Sequence, residues 1–123
     1  MIRVHNRSRS STLGDRIEVA NTPETRNRGL LKRASLAAGE GLWIVPTQSI
    51  HMFFMKFALD IVYLNKTKQV VKVVRNIKPW RISLCLPAHS VLELPVGTID
   101  SSQTRKGDQL EFEKLPSTPP PAT

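Results

Sequence analysis

The chain has 123 residues, 40% of them hydrophobic, a single cysteine and a formal net charge of +8 at neutral pH. This length predicts one domain with its own apolar core, and a lone Cys85 excludes an internal disulfide. The longest apolar run, which begins at Ile50, is interrupted by charged residues, so it does not predict a membrane-spanning segment. No apolar segment follows the charged N terminus, which argues against a secretory signal. We therefore expect a cytoplasmic protein without membrane insertion.

Both ends of the chain differ in composition from its middle. Residues 1–15 are rich in arginine and serine and predict a flexible basic arm, because they contain little that a core could bury. Residues 115–123 are rich in proline and predict a disordered tail. The single domain is expected to span residues 16–114.

The first part of this domain predicts a strand, a helix and a second strand. Residues 16–20 alternate polar and apolar side chains like a half-buried strand. Thr22 is a good N-cap and Pro23 suits the first helical position, so a helix begins here and is expected to end by about Arg33. Residues 42–45 then predict a short buried strand.

The rest of the domain predicts further short strands joined by turns. They are expected at residues 50–55, 59–64, 69–75, 90–95 and 109–112, with a short helix from about Ile99. A turn at residues 65–68 makes the neighbouring strands antiparallel. The pattern predicts a mainly β (α+β) fold, a small, partly open β-barrel or rolled antiparallel sheet with one short helix packed on it.

Ionisable side chains inside apolar segments mark a candidate site. His51, Lys56 and Asp60 interrupt the apolar run, and Glu93 lies between two leucines of a later strand. A charge in such surroundings needs a partner or solvent. The candidate ligand-binding residues are Arg28, His51, Lys56, Asp60 and Glu93, and the candidate catalytic residues are Asp60, Glu93 and His51.

Alternate residues of a strand share a face, which complicates this site. In one regular strand His51 and Lys56 would lie on opposite faces. A single site therefore requires the strand to end or bulge near Met55. The same charged residues also fit a structural network, in which Asp60 or Glu93 caps backbone amides or pairs with an arginine of the helix, Arg26 or Arg28.

Three functions are compatible with these residues, and they leave open whether the protein is an enzyme. The first is a domain that binds a small polar or anionic ligand in a cleft. The second is a hydrolase-type enzyme with Asp60 and Glu93 as an acid/base pair and His51 as an orienting group. The third is a nucleic-acid-associated protein that uses the basic residues 66–81. No zinc-ligand spacing or nucleotide-binding motif occurs, so neither a metal nor a cofactor is expected.

Several motifs follow one another in a specific order. They are residues 20–26 (ANTPETR), 28–30 (RGL), 39–43 (GEGLW), 50–56 (IHMFFMK), 59–61 (LDI) and 91–95 (VLELP), followed by glycines at 97 and 107. In this order the chain resembles the DUF192 family of small, uncharacterised bacterial and archaeal domains, over about residues 17–112. The resemblance implies a compact β-rich domain with a short helix and no established enzymatic activity. Ala58 stands where family members often have proline.

Overall fold

The computed structural model describes residues 1–116, which form nine strands and two short helices. In chain order these are β1 Ile2–Asn6, β2 Ser11–Ala20, α1 Pro23–Arg28, β3 Glu40–Ile44, β4 Ser49–His51, β5 Leu59–Leu64, β6 Val70–Ile77, β7 Ile82–Leu84, β8 Ser90–Leu94, α2 Thr98–Ser102 and β9 Leu110–Lys114. Neither helix within these residues is long and apolar enough to cross a membrane. The predicted Pro-rich tail lies outside the described residues from position 117 onward.

Seven strands form one curled sheet in the order β6-β5-β8-β3-β2-β1-β9. The β2–β3 pair is parallel and the other neighbouring pairs are antiparallel. A bridge between Gln69 and Gln109 joins the two edges of the sheet at one point. Strands β4 and β7 form a separate two-stranded antiparallel sheet, the β4–β7 layer. The predicted rolled, barrel-like sheet with a short helix is confirmed.

The curled sheet buries apolar side chains on both faces, because successive residues of each strand point to opposite sides. On the face that α2 covers, the core includes Ile17, Val62, Leu92, Leu110 and Ile99. On the face that the β4–β7 layer covers, it includes Leu42, Ile61, Val91, Ile50 and Leu30. These are called the α2 face and the β4–β7 face below.

Local signals determine where α1 begins. Thr22 accepts a hydrogen bond from the backbone N–H of Thr25, and the Thr25 hydroxyl accepts one from the N–H of Thr22. This capping box, with Pro23 in the first turn, satisfies N–H groups that a helix otherwise leaves free. The helix ends before Gly29, at φ 48°, and so stops short of the limit of about Arg33 expected from the sequence. Leu30 follows in a turn and reaches the core of the β4–β7 face.

The N-terminal residues are not a flexible arm, which corrects the sequence-based expectation. β1 pairs with β2 and with β9, so residues 2–6 lie inside the large sheet. Arg3 forms an ion pair with Glu113, and Arg7 forms one with Glu111. The basic charge that predicted disorder is thus matched by an acidic strand more than 100 residues later in the chain.

The apolar run that begins at Ile50 also differs from its prediction. The expected strand over residues 50–55 stops at His51, and the chain turns at Phe53 and Phe54 before β5 begins. The partner of β4 is β7, which the sequence-based assignment missed because its three residues lie between a turn and Pro87. The chain therefore forms a short two-stranded layer over the core where the sequence predicted one longer core strand.

Candidate functional site

A cleft of about 430 Å³ lies between α1 with its following turn, β3 and β4. Arg28 and His51, both exposed, lie at its opening, and the apolar side chains of Leu30, Ile50 and Met55 contribute its walls. Glu93 of β8 is part of the same lining and is only 6% exposed. The volume is in the range that accommodates a small molecule.

Glu93 is the unusual group in this cleft. It lies across from Leu42 of β3 and from Ile61 of β5, so it shares their face of the sheet. Its carboxyl group has no hydrogen bond or ion pair with any residue in the range 1–116. Burial raises the pKa of Glu93 to about 7 because the charged form loses its hydration. Near neutral pH the group is therefore able either to donate or to accept a hydrogen bond.

The opening of the cleft is positively charged. Arg26 and Arg28 of α1 both line it, and neither forms an ion pair in the described part of the chain. The imidazole of His51 stacks on Phe53 with 5.1 Å between ring centroids. Two guanidinium groups and one imidazole are thus available beside a buried carboxyl group.

Asp60 does not belong to this cleft. Its carboxylate accepts hydrogen bonds from the backbone N–H groups of Asn76 (2.9 Å), Gly97 (3.1 Å) and Ile99 (2.9 Å). It lies across from Leu94, on the α2 face. Asp60 therefore ties β5 to β6 and to the start of α2, which is the structural alternative considered for it above.

The separation of Asp60 and Glu93 removes the proposed acid/base pair. Because Asp60 lies across from Leu94 while Ile61 lies across from Glu93, the two carboxyl groups point to opposite faces of one sheet. They cannot act on one substrate, so the Asp60–Glu93 hydrolase hypothesis is wrong. Lys56 is also absent from the cleft lining and is exposed in the connection between β4 and β5.

Two further buried polar groups lie on the same side of the sheet as Glu93. The hydroxyl groups of Tyr63 and Ser83 are buried and lack a hydrogen-bond partner within residues 1–116. Burial raises the pKa of Tyr63 because its charged form loses hydration. Tyr63 lies two residues from Ile61 in β5, so the interior next to Glu93 is more polar than its apolar sequence context predicts.

A second concavity offers less chemistry than this cleft. It has a volume of about 750 Å³ and lies beside Pro46, Asn65 and His89. None of its lining residues is a buried ionisable group, so it has no recognition element comparable with Glu93. No group of three or more histidine, cysteine, aspartate or glutamate residues within residues 1–116 is placed to hold a metal ion.

The structure thus brings together Arg28, His51 and Glu93 from the predicted set and leaves out Lys56 and Asp60. Three further residues, Asn27, Thr47 and Ser49, add polar groups to the lining and were not predicted from the sequence. Asn27 lies between two arginines in the last turn of α1, and this polar helix end was an available signal. The sequence offered no such signal for Thr47 and Ser49, because their position depends on how the loop before β4 packs.

A curled β-sheet with one capped helix beside a partly buried cleft defines a small β-rich domain. The chain belongs to the DUF192 family (Uncharacterized ACR), whose model matches residues 4–112. It is similar to a UPF0127 protein of Thermococcus sibiricus, with 31% identity over 88% of this chain and 73% of the relative. A UPF0127 protein of Pyrococcus abyssi is 32% identical over 87% of this chain and 94% of the relative.

Two solved structures share the fold. A protein of Sinorhizobium meliloti 1021, provisionally described as a transcription regulator, has a TM-score of 0.77 and 26% identity and covers 90% of this chain and 91% of its own. A protein of unknown function from Novosphingobium aromaticivorans has a TM-score of 0.76 and 23% identity and covers 89% of this chain and 82% of its own. The fold described above therefore recurs in experimentally determined structures.

Proposed function

We propose that this protein binds a small polar ligand with an anionic group in the cleft between α1 and β4. The observation that carries the proposal is Glu93, a buried carboxyl group that lines the cleft without a partner among residues 1–116. Burying a polar group without a hydrogen bond costs free energy, and a ligand that supplies the missing bond recovers it.

The positions of the charges suggest how such a ligand lies. Its anionic group contacts the guanidinium groups of Arg26 and Arg28 at the opening, where a bidentate contact with an oxyanion is favourable. Its polar body extends inward toward Glu93 and passes the apolar walls. His51 adds a hydrogen-bonding group at the same opening.

The pH dependence of binding follows from Glu93. Below about pH 7 its carboxyl group is protonated and donates a hydrogen bond to the ligand, since burial raises its pKa to about 7. Above that pH the carboxylate repels an anionic ligand. Affinity is therefore expected to decrease as the pH rises through the neutral range, whereas a ligand that presents an ammonium group inward would show the opposite trend.

A thermal-shift screen tests the proposal. The panel contains small carboxylates, phosphorylated metabolites and neutral sugars, each measured on the wild type and on Arg28→Ala. The matched control is Arg105→Ala, which removes an exposed arginine that is not part of the cleft. The expected result is a stabilising anionic compound whose shift is lost in Arg28→Ala and retained in Arg105→Ala. Equal shifts in the two variants, or no stabilising compound at all, would count against the cleft.

Association with nucleic acid is a second candidate function. The relative from Sinorhizobium meliloti carries its provisional description as a transcription regulator, and this chain has a basic segment over residues 66–81. Two of these basic side chains already have partners within the chain, because Lys72 donates to the carbonyl of Leu84 and Arg75 pairs with Asp100. A salt titration with mixed DNA and RNA tests this function, and no binding at low ionic strength would remove it.

A further inference from the structure

Five large apolar side chains project from the outer side of the β4–β7 layer and the turns beside it. Phe53, Phe54, Trp80, Ile82 and Leu84 are between 37% and 72% exposed, and we call this set the exposed apolar face. Exposed apolar side chains are common singly, but a contiguous group indicates an interaction site.

The aromatic part of this face is continuous. The ring of Trp80 lies 6.0 Å from Phe53 and 4.9 Å from Phe54, centroid to centroid. Next to these rings, Ile82 lies across from His51 in the β4–β7 layer, and Leu84 points the same way two residues further along β7. The five side chains thus form one surface and not scattered exposures.

The backbone holds two of these rings outward at a conformational cost. Phe54 has φ 64° and Trp80 has φ 69°, in the left-handed region that bulky residues seldom adopt. The turns are fixed to each other, because Trp80 N–H donates to the Met52 carbonyl and Met52 N–H donates to the Arg81 carbonyl. Strain at such positions is typical of functional surfaces.

The charge around the face has one sign. Lys56, Lys78 and Arg81 are exposed, and each lies within two residues of Phe54 or Trp80 in the sequence. Between residues 46 and 92 the single acidic residue is Asp60, which is buried and bonded to backbone N–H groups on the other side of the sheet. These charges favour an anionic occupant of the face.

We propose that the exposed apolar face docks on an anionic lipid bilayer surface without crossing it. Trp and Phe favour the level of lipid headgroups, and aliphatic side chains with a border of lysine and arginine are typical of proteins that lie on such a surface. None of the five side chains lines any of the four principal concavities in residues 1–116, so the face offers no groove for a peptide.

Other anionic or apolar occupants fit less well. Nucleic acid would use the aromatic rings for stacking but gains little from Ile82 and Leu84. A second copy of the chain would bring a second set of these cations to the same interface, where like charges repel.

Co-sedimentation with lipid vesicles tests this docking. The full chain is mixed with phosphatidylcholine vesicles that contain either no phosphatidylglycerol or about 30 mol % of it, at low and high salt. Binding is expected only with the anionic lipid, and it weakens as salt screens the charges. Lys78→Gln and Arg81→Gln are each expected to lower the partition coefficient about fivefold.

Variants that replace apolar side chains of the face distinguish insertion into the bilayer surface from electrostatic attraction alone. Ile82→Gln combined with Leu84→Gln is expected to lower binding at least about tenfold, because it removes apolar area that enters the bilayer boundary. Val96→Gln is the matched control, since Val96 is 51% exposed but belongs to the turn before α2. Near-ultraviolet circular dichroism of each variant shows that it is folded. If Trp80 enters the headgroup level, tryptophan emission shifts to shorter wavelength on vesicle binding; Trp80→Phe should abolish this shift and preserve most of the binding.

Three outcomes would overturn the proposal. One is no partition into anionic vesicles at low salt. Another is an equal loss of binding in Val96→Gln and in the Ile82/Leu84 double variant. The third is binding to a single-stranded oligonucleotide that the same variants abolish while vesicles are ignored, which would assign the face to nucleic acid.

Discussion

Replacing Glu93 by glutamine tests the central electrostatic feature of the cleft. Glutamine has nearly the same shape as the protonated carboxyl group, but it never becomes charged. The wild type keeps a buried carboxylate above neutral pH, whereas Glu93→Gln does not. The difference between their free energies of unfolding is therefore expected to depend on pH.

The size of this effect follows from the pKa of Glu93. Burial raises it from 4.5 to about 7. In the folded state the group holds its proton up to about pH 7, while in the unfolded chain it releases the proton near pH 4.5, so wild-type stability falls as the pH rises between these values. The shift corresponds to about 3 kcal/mol at full ionisation. Glu93→Gln removes that penalty. The free energy of unfolding of the variant, relative to the wild type, should therefore increase by roughly 2–3 kcal/mol between about pH 5 and about pH 8.5.

Urea denaturation of both proteins across this pH range measures the effect. Glu18→Gln is the control, because Glu18 is exposed on β2 and lies outside the cleft. Its difference from the wild type is the baseline against which the pH dependence for Glu93→Gln is judged. A pH-independent difference for Glu93→Gln, or a directly titrated pKa of Glu93 near its ordinary value, would refute the reasoning.

Three other variants probe the rest of the structure by urea denaturation. Asp60→Ala leaves three backbone N–H groups without an acceptor and should lower the free energy of unfolding by about 3 kcal/mol. The control Asp100→Ala breaks one exposed ion pair and should lower it by less than about 1 kcal/mol. Equal losses would refute the structural role of Asp60. Burial alone would raise the pKa of Asp108, but hydrogen bonds from Asn6, Arg9 and the Arg105 N–H lower it overall. Asp108→Asn should therefore destabilise most above the ordinary aspartate range, with a deficit that shrinks in acid; a constant deficit would contradict this. Gly41→Ala should cost about 1–3 kcal/mol, because the new Cβ would lie 2.8 Å from the Glu93 carbonyl oxygen, and unchanged stability would refute it.

Elements whose signals are local were predicted well. The start of the helix at Pro23 was predicted because its N-cap Thr22 and its first-turn proline are adjacent, whereas its end before Gly29 was not predicted. β5 and β6 were predicted because a short turn at residues 65–68 separates two apolar, β-branched segments. In the structure the Asn65 side chain accepts hydrogen bonds from the backbone N–H groups of Thr67 and Gln69 in this turn.

The errors concern contacts between distant parts of the chain. Residues 1–15 look disordered alone, since their arginines find Glu111 and Glu113 only when β1 and β9 pair. The apolar run after Ile50 predicts a long strand, but its partner β7 offers only three residues. A local sequence pattern shows neither that β1 pairs with β9 nor that the partner of β4 is so short.

For the candidate site, the sequence by itself determined that Glu93, Asp60 and His51 needed partners or solvent, because ionisable groups in apolar surroundings always do. Only the tertiary structure decided whether each of these groups has a hydrogen-bond partner or contacts solvent. The register that places Ile61 across from Glu93 sends Asp60 to the α2 face, where backbone N–H groups satisfy it. A shift of one residue would exchange the two faces, and sheet register depends on pairing across the whole fold. Of these two carboxyl groups, Glu93 is the one left without a partner among residues 1–116, beside a cleft that α1 and β4 form together.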